Sequence, residues 1–208
     1  EGKQRRYLVR IPDHYSPEKP SPVLFGFGGW GDSPENYSSY ARMQTTEANN
    51  EAVIVYPEGF ERAWEAAPYA KTRDGEDIRF IKRILDSVDK DYHVDRNRVY
   101  AMGMSNGGGF TSVLGCHAQD MFAAVAMVSG AFYTPVETNC VDAPMHTLIM
   151  HGTKDGIVPP YFSQDWYNSI SSDDVEYINW EGQKHEVFNE PAADQALDTV
   201  VDWLDRHV

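Results

Sequence analysis

The chain is 208 residues long and 41% hydrophobic, a size and composition that suit one domain with a substantial core and are tight for two. Its 32 Asp and Glu outnumber 18 Lys and Arg for a net charge of −14, a surface that repels nucleic acid and anionic lipid and suits a neutral or weakly charged partner. No apolar run approaches the roughly 18 residues of a membrane span, and two cysteines are too few for a disulfide-dense scaffold.

Residues 7–11 read as a strand. A Pro-rich loop over 12–22 leads to a second strand at 23–27, and 52–56 reads as a third. Residues 75–89 have helical spacing: Ile78, Ile81, Ile84, Leu85 and Val88 share a face, and Asp74 stands where a cap would start the helix. A short strand at 99–104 runs into a small-residue helix at 107–115. Strands follow at 122–128 and 147–150, then a helix at 161–170 and a strand at 175–180. Residues 192–206 close the chain as a helix with Leu197, Val200, Val201 and Leu204 inward. Strands alternating with helices predict an α/β fold: a single domain with a mostly parallel sheet and helices on both faces. The working loops then lie beyond the carboxyl ends of the strands. No repeat, low-complexity tract or interdomain linker interrupts the pattern.

Residues 99–109 read Val-Tyr-Ala-Met-Gly-Met-Ser-Asn-Gly-Gly-Gly, so Gly103, Ser105 and Gly107 form Gly-x-Ser-x-Gly. The frame alone is weak, since a plain Gly-rich turn reads the same way. Its context is specific, because an apolar strand enters it and a helix leaves it. Such a turn holds the serine in strained backbone geometry with its hydroxyl above the sheet. Side chains at Gly103 and Gly107 would collide with neighbouring backbone.

A serine hydroxyl is a poor nucleophile until an imidazole takes its proton, and the imidazole needs a carboxylate to fix its tautomer. Behind a turn of this kind the partners follow in the order serine, acid, histidine. His117 lies in the helix after Ser105, His146 and His151 bracket a strand, and His207 ends the closing helix. His185 instead follows the strand ending at Trp180, at the working edge. Asp120, Asp142, Asp173 and Asp174 precede strands, and Asp165 lies within a helix. Asp155 follows a strand by a short turn. The expected triad is therefore Ser105, Asp155 and His185. The oxyanion donors are expected to be the backbone amides of Asn106 and of Trp30, the latter in the loop Gly28-Gly29-Trp30-Gly31-Asp32. Metal-ligand spacing, a phosphate loop and a dinucleotide fingerprint are all missing, so no cofactor is expected.

The segments GMSNGGGF, HGTKDGIVP and GQKHEVF resemble the polyhydroxybutyrate-depolymerase and feruloyl-esterase branch of the α/β-hydrolases, which includes the compact esterases of carbohydrate esterase family 1. The resemblance runs from about Arg5 to the C-terminus. It implies the same roles for Ser105, Asp155 and His185, and an oxyanion donor just after Gly28-Gly29. The branch usually carries His-Gly where this chain has Gly28-Gly29, so the loop lacks an imidazole that would steady it. Taken alone, Cys116 and Cys140 fit one disulfide or two buried thiols. They resemble a pair bridged in secreted fungal members, which implies export. No leader is visible in the charged stretch at residues 1–10, and that leaves export open. Asn36-Tyr37-Ser38 would be a glycosylation acceptor in a eukaryotic secretory pathway.

Cap domains in this fold are usually inserted where this chain has only the loop 131–146, so no cap domain and an open site are expected. An open site suits a bulky or polymer-attached ester and disfavours a lipase. Trp30, Trp64, Tyr69, Phe132, Tyr133 and Tyr161 lie on candidate rim loops, where a flat acyl group can stack. Of these, Trp30, Trp64, Phe132 and Tyr133 are the substrate-binding candidates. The expectation is an extracellular serine esterase working through an acyl-enzyme on feruloyl or acetyl esters of plant polysaccharide. The alternatives are a polyhydroxyalkanoate or other polyester depolymerase and a general short-chain carboxylesterase. From another class, a non-catalytic binding module with a vestigial elbow remains.

Overall fold

The computed structural model describes residues 2–46, 48–65, 67–133, 145–170 and 172–207. Its strands are β1 (Tyr7–Arg10), β2 (Ser21–Phe27), β3 (Val53–Pro57), β4 (Val94–Met104), β5 (Ala124–Val128), β6 (His146–Gly152) and β7 (Val175–Trp180). Among the described residues they form one seven-stranded sheet in the order β1-β3-β2-β4-β5-β6-β7. The pair β1/β3 is antiparallel and every other pair is parallel. Interior strands β3 and β5 are buried along their whole length, as parallel strands covered on both faces must be.

The period of two along each strand sorts the core into two layers. Val23, Phe25 and Phe27 of β2 pack on one face with Ile81, Ile84, Leu85 and Val88 of α3 (Glu76–Tyr92), and with Phe110 and Leu114 of α4 (Asn106–His117). Partly buried Phe162 and Trp166 of α5 (Tyr161–Ser169) join that layer. Leu24, Ile54 and Met102 face the other way, toward Tyr37 of α1 (Pro34–Ala41) and toward Leu197, Val200, Trp203 and Leu204 of α6 (Ala193–Asp205). The remaining helix, α2 (Ala48–Glu51), is a single turn.

Two local readings change. Asp74 does not cap α3: the N-cap is Gly75 at φ 74°, and no side chain bonds there. Asp74 itself sits at φ 56°, whereas a capping side chain needs an extended backbone to reach the first turn. Glu65 Oε1 accepts from the partly buried first-turn amide of Ile78 instead, at 3.4 Å. Conversely, α1 was missed. Ser33 Oγ accepts from Asn36 N at 3.1 Å and Pro34 opens the first turn, a Ser-Pro start signal that the weak periodicity hid.

The strand order reverses between β2 and β4, because β3 lies on one side of β2 and β4 on the other. Loops leaving the carboxyl ends of β2 and β4 therefore part in opposite directions and open a crevice. The loop after β2 carries Gly28–Gly31, and the loop after β4 is the Ser105 elbow.

Candidate active site

Ser105 is a one-residue hinge between β4 and α4, at φ 55° and ψ −120°. A non-glycine residue there is strained and holds only if its surroundings fix it. They do so through the backbone. Ser105 N donates to Val128 O at 3.0 Å, and Ser105 O accepts from Gly109 N at 3.0 Å and Ala131 N at 2.9 Å. The flanking glycines let backbones touch: a Cβ on Gly103 would stand 2.2 Å from Gly107 O, and one on Gly107 only 2.1 Å from Phe27 O. The β2 loop thus lies directly on the elbow, with Gly29 beside the Ser105 side chain.

Asp155 and His185 meet at the same sheet edge. Lys154 N donates to Gln183 O at 2.9 Å and Thr153 N to Trp180 O at 3.0 Å, which stitches the loop after β6 to the loop after β7. His185 Nδ1 lies 2.7 Å from Asp155 Oδ2. The carboxylate can only accept, so Nδ1 carries the proton and Nε2 presents a lone pair. Neither His185 Nε2 nor Ser105 Oγ makes another hydrogen bond among the described residues.

A second imidazole shares the carboxylate. His151, fully buried at the end of β6, places Nε2 3.1 Å from Asp155 Oδ2 and 2.9 Å from Val158 O. Both neighbours are acceptors, so Nε2 is protonated and Nδ1 accepts from Ser163 Oγ at 2.6 Å. The sequence set His151 aside because it brackets a strand; in the structure both its nitrogens are occupied. Its contact with Asp155, however, was not foreseen. The available signal was the His-x-x-x-Asp spacing across one tight turn.

Burial pushes the Asp155 carboxyl upward. Hydrogen bonds from His151, His185, Val158 N at 2.9 Å and Ile157 N at 2.8 Å outweigh it and hold the group well below the usual carboxylate range. A depressed folded pKa contributes stability that is complete above the unfolded value, about 3.9, and is lost as pH falls through the folded value. Asp155→Asn should therefore cost about 1–3 kcal/mol at pH 7. The gap to wild type should narrow steadily below about pH 4. Urea unfolding at pH 7 and pH 3 checks this; an equal gap at both would contradict it.

Asp32 ties down the Gly28-Gly29 loop. Its carboxylate accepts from Gly29 N at 2.8 Å, Asn36 Nδ2 at 2.7 Å and Tyr40 Oη at 2.5 Å. A Cβ on Gly28 would meet Asp32 Cβ at 2.8 Å and Tyr37 Cβ at 3.0 Å, so this loop has no room for a histidine. Among residues 29–32 the amides of Gly29, Gly31 and Asp32 are bonded, and that of Trp30 has no hydrogen-bond partner among the described residues. The amide of Asn106 opens α4 and has no partner within the helix.

Residues 79–208 match the PET hydrolase-like family. The chain belongs to that family. It is also 29% identical over 170 residues to feruloyl esterase D of Neurospora crassa, covering 76% of this chain and 55% of that protein. It is 32% identical over 160 residues to feruloyl esterase C of Emericella nidulans, covering 74% and 56%. The chain thus spans about half the length of these curated relatives. Among solved structures, Est1E of Butyrivibrio proteoclasticus with ferulic acid bound superposes at a TM-score of 0.76 with 14% identity, covering 98% of this chain and 95% of that one. Esterase PE8 superposes at 0.74 with 15% identity, covering 99% and 100%. These likenesses show the α/β-hydrolase fold.

In this PET hydrolase-like chain the aromatic candidates divide. Trp64 is buried and belongs to the core: it stacks on Phe110 at 4.9 Å, and its Nε1 donates to Gly28 O at 3.1 Å. Its backbone N donates to Asn106 Oδ1 at 2.8 Å, so Trp64 braces the β2 loop against the elbow and cannot line a binding surface. Phe132 is also buried, stacked on Trp166 at 5.4 Å. Trp30, at 69% exposed, and Tyr133, at 47%, do face solvent. Half-buried Tyr69 joins them, 5.2 Å from the Trp30 ring and 5.6 Å from that of Tyr133. Tyr161 is exposed and stacks on Phe162. Cys140 and most of the loop 131–146, on which the disulfide and the missing cap were read, lie outside the described residues.

Proposed function

We propose that the chain is a serine carboxylic-ester hydrolase. Ser105 is the nucleophile, His185 the general base and Asp155 the residue that fixes the imidazole. The observation that carries this reading is the buried Asp155–His185 pair, bonded at 2.7 Å on the sheet edge that also bears the strained Ser105. In the reaction Ser105 Oγ attacks the ester carbonyl as His185 Nε2 takes its proton. The amides of Asn106 and Trp30 stabilise the oxyanion. His185 then protonates the leaving alcohol, and water admitted through the same base releases the acyl group from Ser105.

Two independent similarities point to an aromatic acyl group. The curated relatives are named for feruloyl esters, and the family is named for PET, a polyester of an aromatic diacid. Both esters present a flat ring conjugated with the carbonyl, directly in the terephthalate and through a C=C bond in the ferulate. The exposed Trp30–Tyr69–Tyr133 strip offers a surface on which such a ring can stack. We assign feruloyl esters of plant polysaccharide as the leading substrate, and the family match favours an aromatic polyester as the second reading. The same reading places the protein outside the cell with Cys116 and Cys140 bridged, which thiol titration of the unfolded, unreduced chain reads directly.

A rigid aryl acyl group gains stacking while giving up little rotamer entropy, whereas an open site buries little of a long alkyl chain. The expected result is a higher kcat/KM for methyl ferulate than for a palmitate ester, with Trp30→Ala reducing the aryl ester most. A preference for acetyl or 3-hydroxybutyrate esters without aryl activity would remove the feruloyl assignment and leave the triad standing.

A further inference from the structure

At the opposite edge of the sheet three residues from distant parts of the chain converge. His146 opens β6, Asp174 immediately precedes β7, and His207 lies two residues beyond the end of α6. His146 Nδ1 is 2.6 Å from Asp174 Oδ2, His207 Nε2 is 3.2 Å from the same oxygen, and one ligand atom of each residue lies within 4.8 Å of the other two. We propose that His146, Asp174 and His207 form a binding site for a divalent transition-metal ion of the Zn2+ type, which clasps the closing helix to the edge strands.

Ring geometry is the main argument. His207 Nδ1 lies 2.7 Å from Trp203 O, which can only accept, so Nδ1 donates there. Nε2 is the nitrogen turned toward Asp174 Oδ2, at 3.2 Å, and there it can share either a proton or a metal ion with the carboxylate. Metal-bound histidines ordinarily make this same contact to Trp203 O, with the other ring N–H donated to a backbone carbonyl. The ring is also fixed in place, stacked on buried Trp203 at 4.1 Å.

The donor set fits. Two imidazoles and one carboxylate suit Zn2+ and its neighbours and disfavour Ca2+, which prefers an all-oxygen shell. Ligand atoms bound at 2.0–2.2 Å in a tetrahedron stand about 3.4 Å apart. The His207–Asp174 separation of 3.2 Å is already close to that. The His146–Asp174 hydrogen bond opens by less than about 1 Å as the metal displaces its proton. Water completes the shell, since the site faces solvent.

The experiment uses the full chain, freed of any polyhistidine tag, titrated calorimetrically with Zn2+ and with Ca2+ as control. One Zn2+ should bind, with a melting temperature that rises with Zn2+ concentration and an affinity that weakens as protons compete in acid. Asp174→Asn and His207→Ala should each weaken binding at least ~10–100-fold, because each removes a direct ligand. Asp174 is exposed and His207 is partly buried against Trp203, so the unfolding midpoint of each variant is measured alongside. His185→Ala should bind Zn2+ as wild type does, which separates this site from the catalytic edge. Absence of saturable Zn2+ binding would overturn the proposal. So would binding that survives both ligand substitutions or disappears in His185→Ala.

Discussion

Ser105→Ala is expected to lower ester turnover on the order of 10⁶-fold while leaving the fold intact. The substitution removes one oxygen that bonds to nothing among the described residues, so the core loses no partner. The strained φ of 55° is held by backbone bonds to Val128, Gly109 and Ala131, none of which depends on the hydroxyl. The chemistry, by contrast, loses the atom that would form the acyl bond. The oxyanion amides and the binding surface can supply only a residual rate, which is why elimination of one triad member costs nearly as much as eliminating all. The measurement is single-turnover hydrolysis of an aryl ester alongside the unfolding midpoint of both proteins. Near-normal turnover in the variant would contradict the reading.

His185→Ala is expected to cost a similar factor, roughly 10⁵–10⁶. In this reading His151 cannot replace it, since His151 Nε2 is committed to Val158 O and Asp155 and its Nδ1 to Ser163 Oγ. The pH dependence gives a second readout. The wild-type rate should fall in acid as the imidazole is protonated and can no longer accept a proton. The residual rate of His185→Ala should lose that step and rise with hydroxide instead. Full activity in this variant would transfer the base to another group and break the assignment. Stability should change little, because Asp155 keeps His151 and two backbone donors.

The sequence was most informative where one backbone constraint dictates the residue. The elbow is such a place: Gly103 and Gly107 admit no Cβ, and the strand-to-helix turn they permit places Ser105 without reference to the rest of the chain. Asp155 and His185 were read from chain order and from their places just after strands, and the structure brings the two together where β6 and β7 end on one edge. Long-range packing was not legible. Trp64 looked like a rim residue because it sits in an aperiodic loop. That loop is drawn into the core by Asp77, whose Oδ1 takes Arg5 Nη1 at 2.7 Å and whose Oδ2 takes Glu65 N and Thr72 Oγ1, each at 2.7 Å. No local pattern announces an ion pair between residues so far apart in the chain. Phe132 was misplaced for a related reason: its burial depends on Trp166, a helix away.

Gly28-Gly29 shows the same limit at the level of a motif. Read as a departure from His-Gly, it implied a looser loop. Asp32, Tyr37 and Tyr40 fill and brace the space, so the change is compensated by side chains later in the loop and in α1. Likewise the His-x-x-x-Asp spacing was the one sign of His151 as a partner of Asp155, because bracketing a strand says nothing about where an imidazole turns once that strand is buried.

The most direct test of the central claim is intact-mass and peptide mass spectrometry after treatment of the folded protein with a fluorophosphonate. The reagent reacts with a serine only where a base activates it and an oxyanion site receives the phosphoryl oxygen. The account predicts one covalent adduct per chain, located on Ser105, absent from Ser105→Ala and strongly slowed in His185→Ala. A folded chain that takes up no label, or carries it on another residue, would contradict the account and favour a binding module that keeps the elbow without its chemistry.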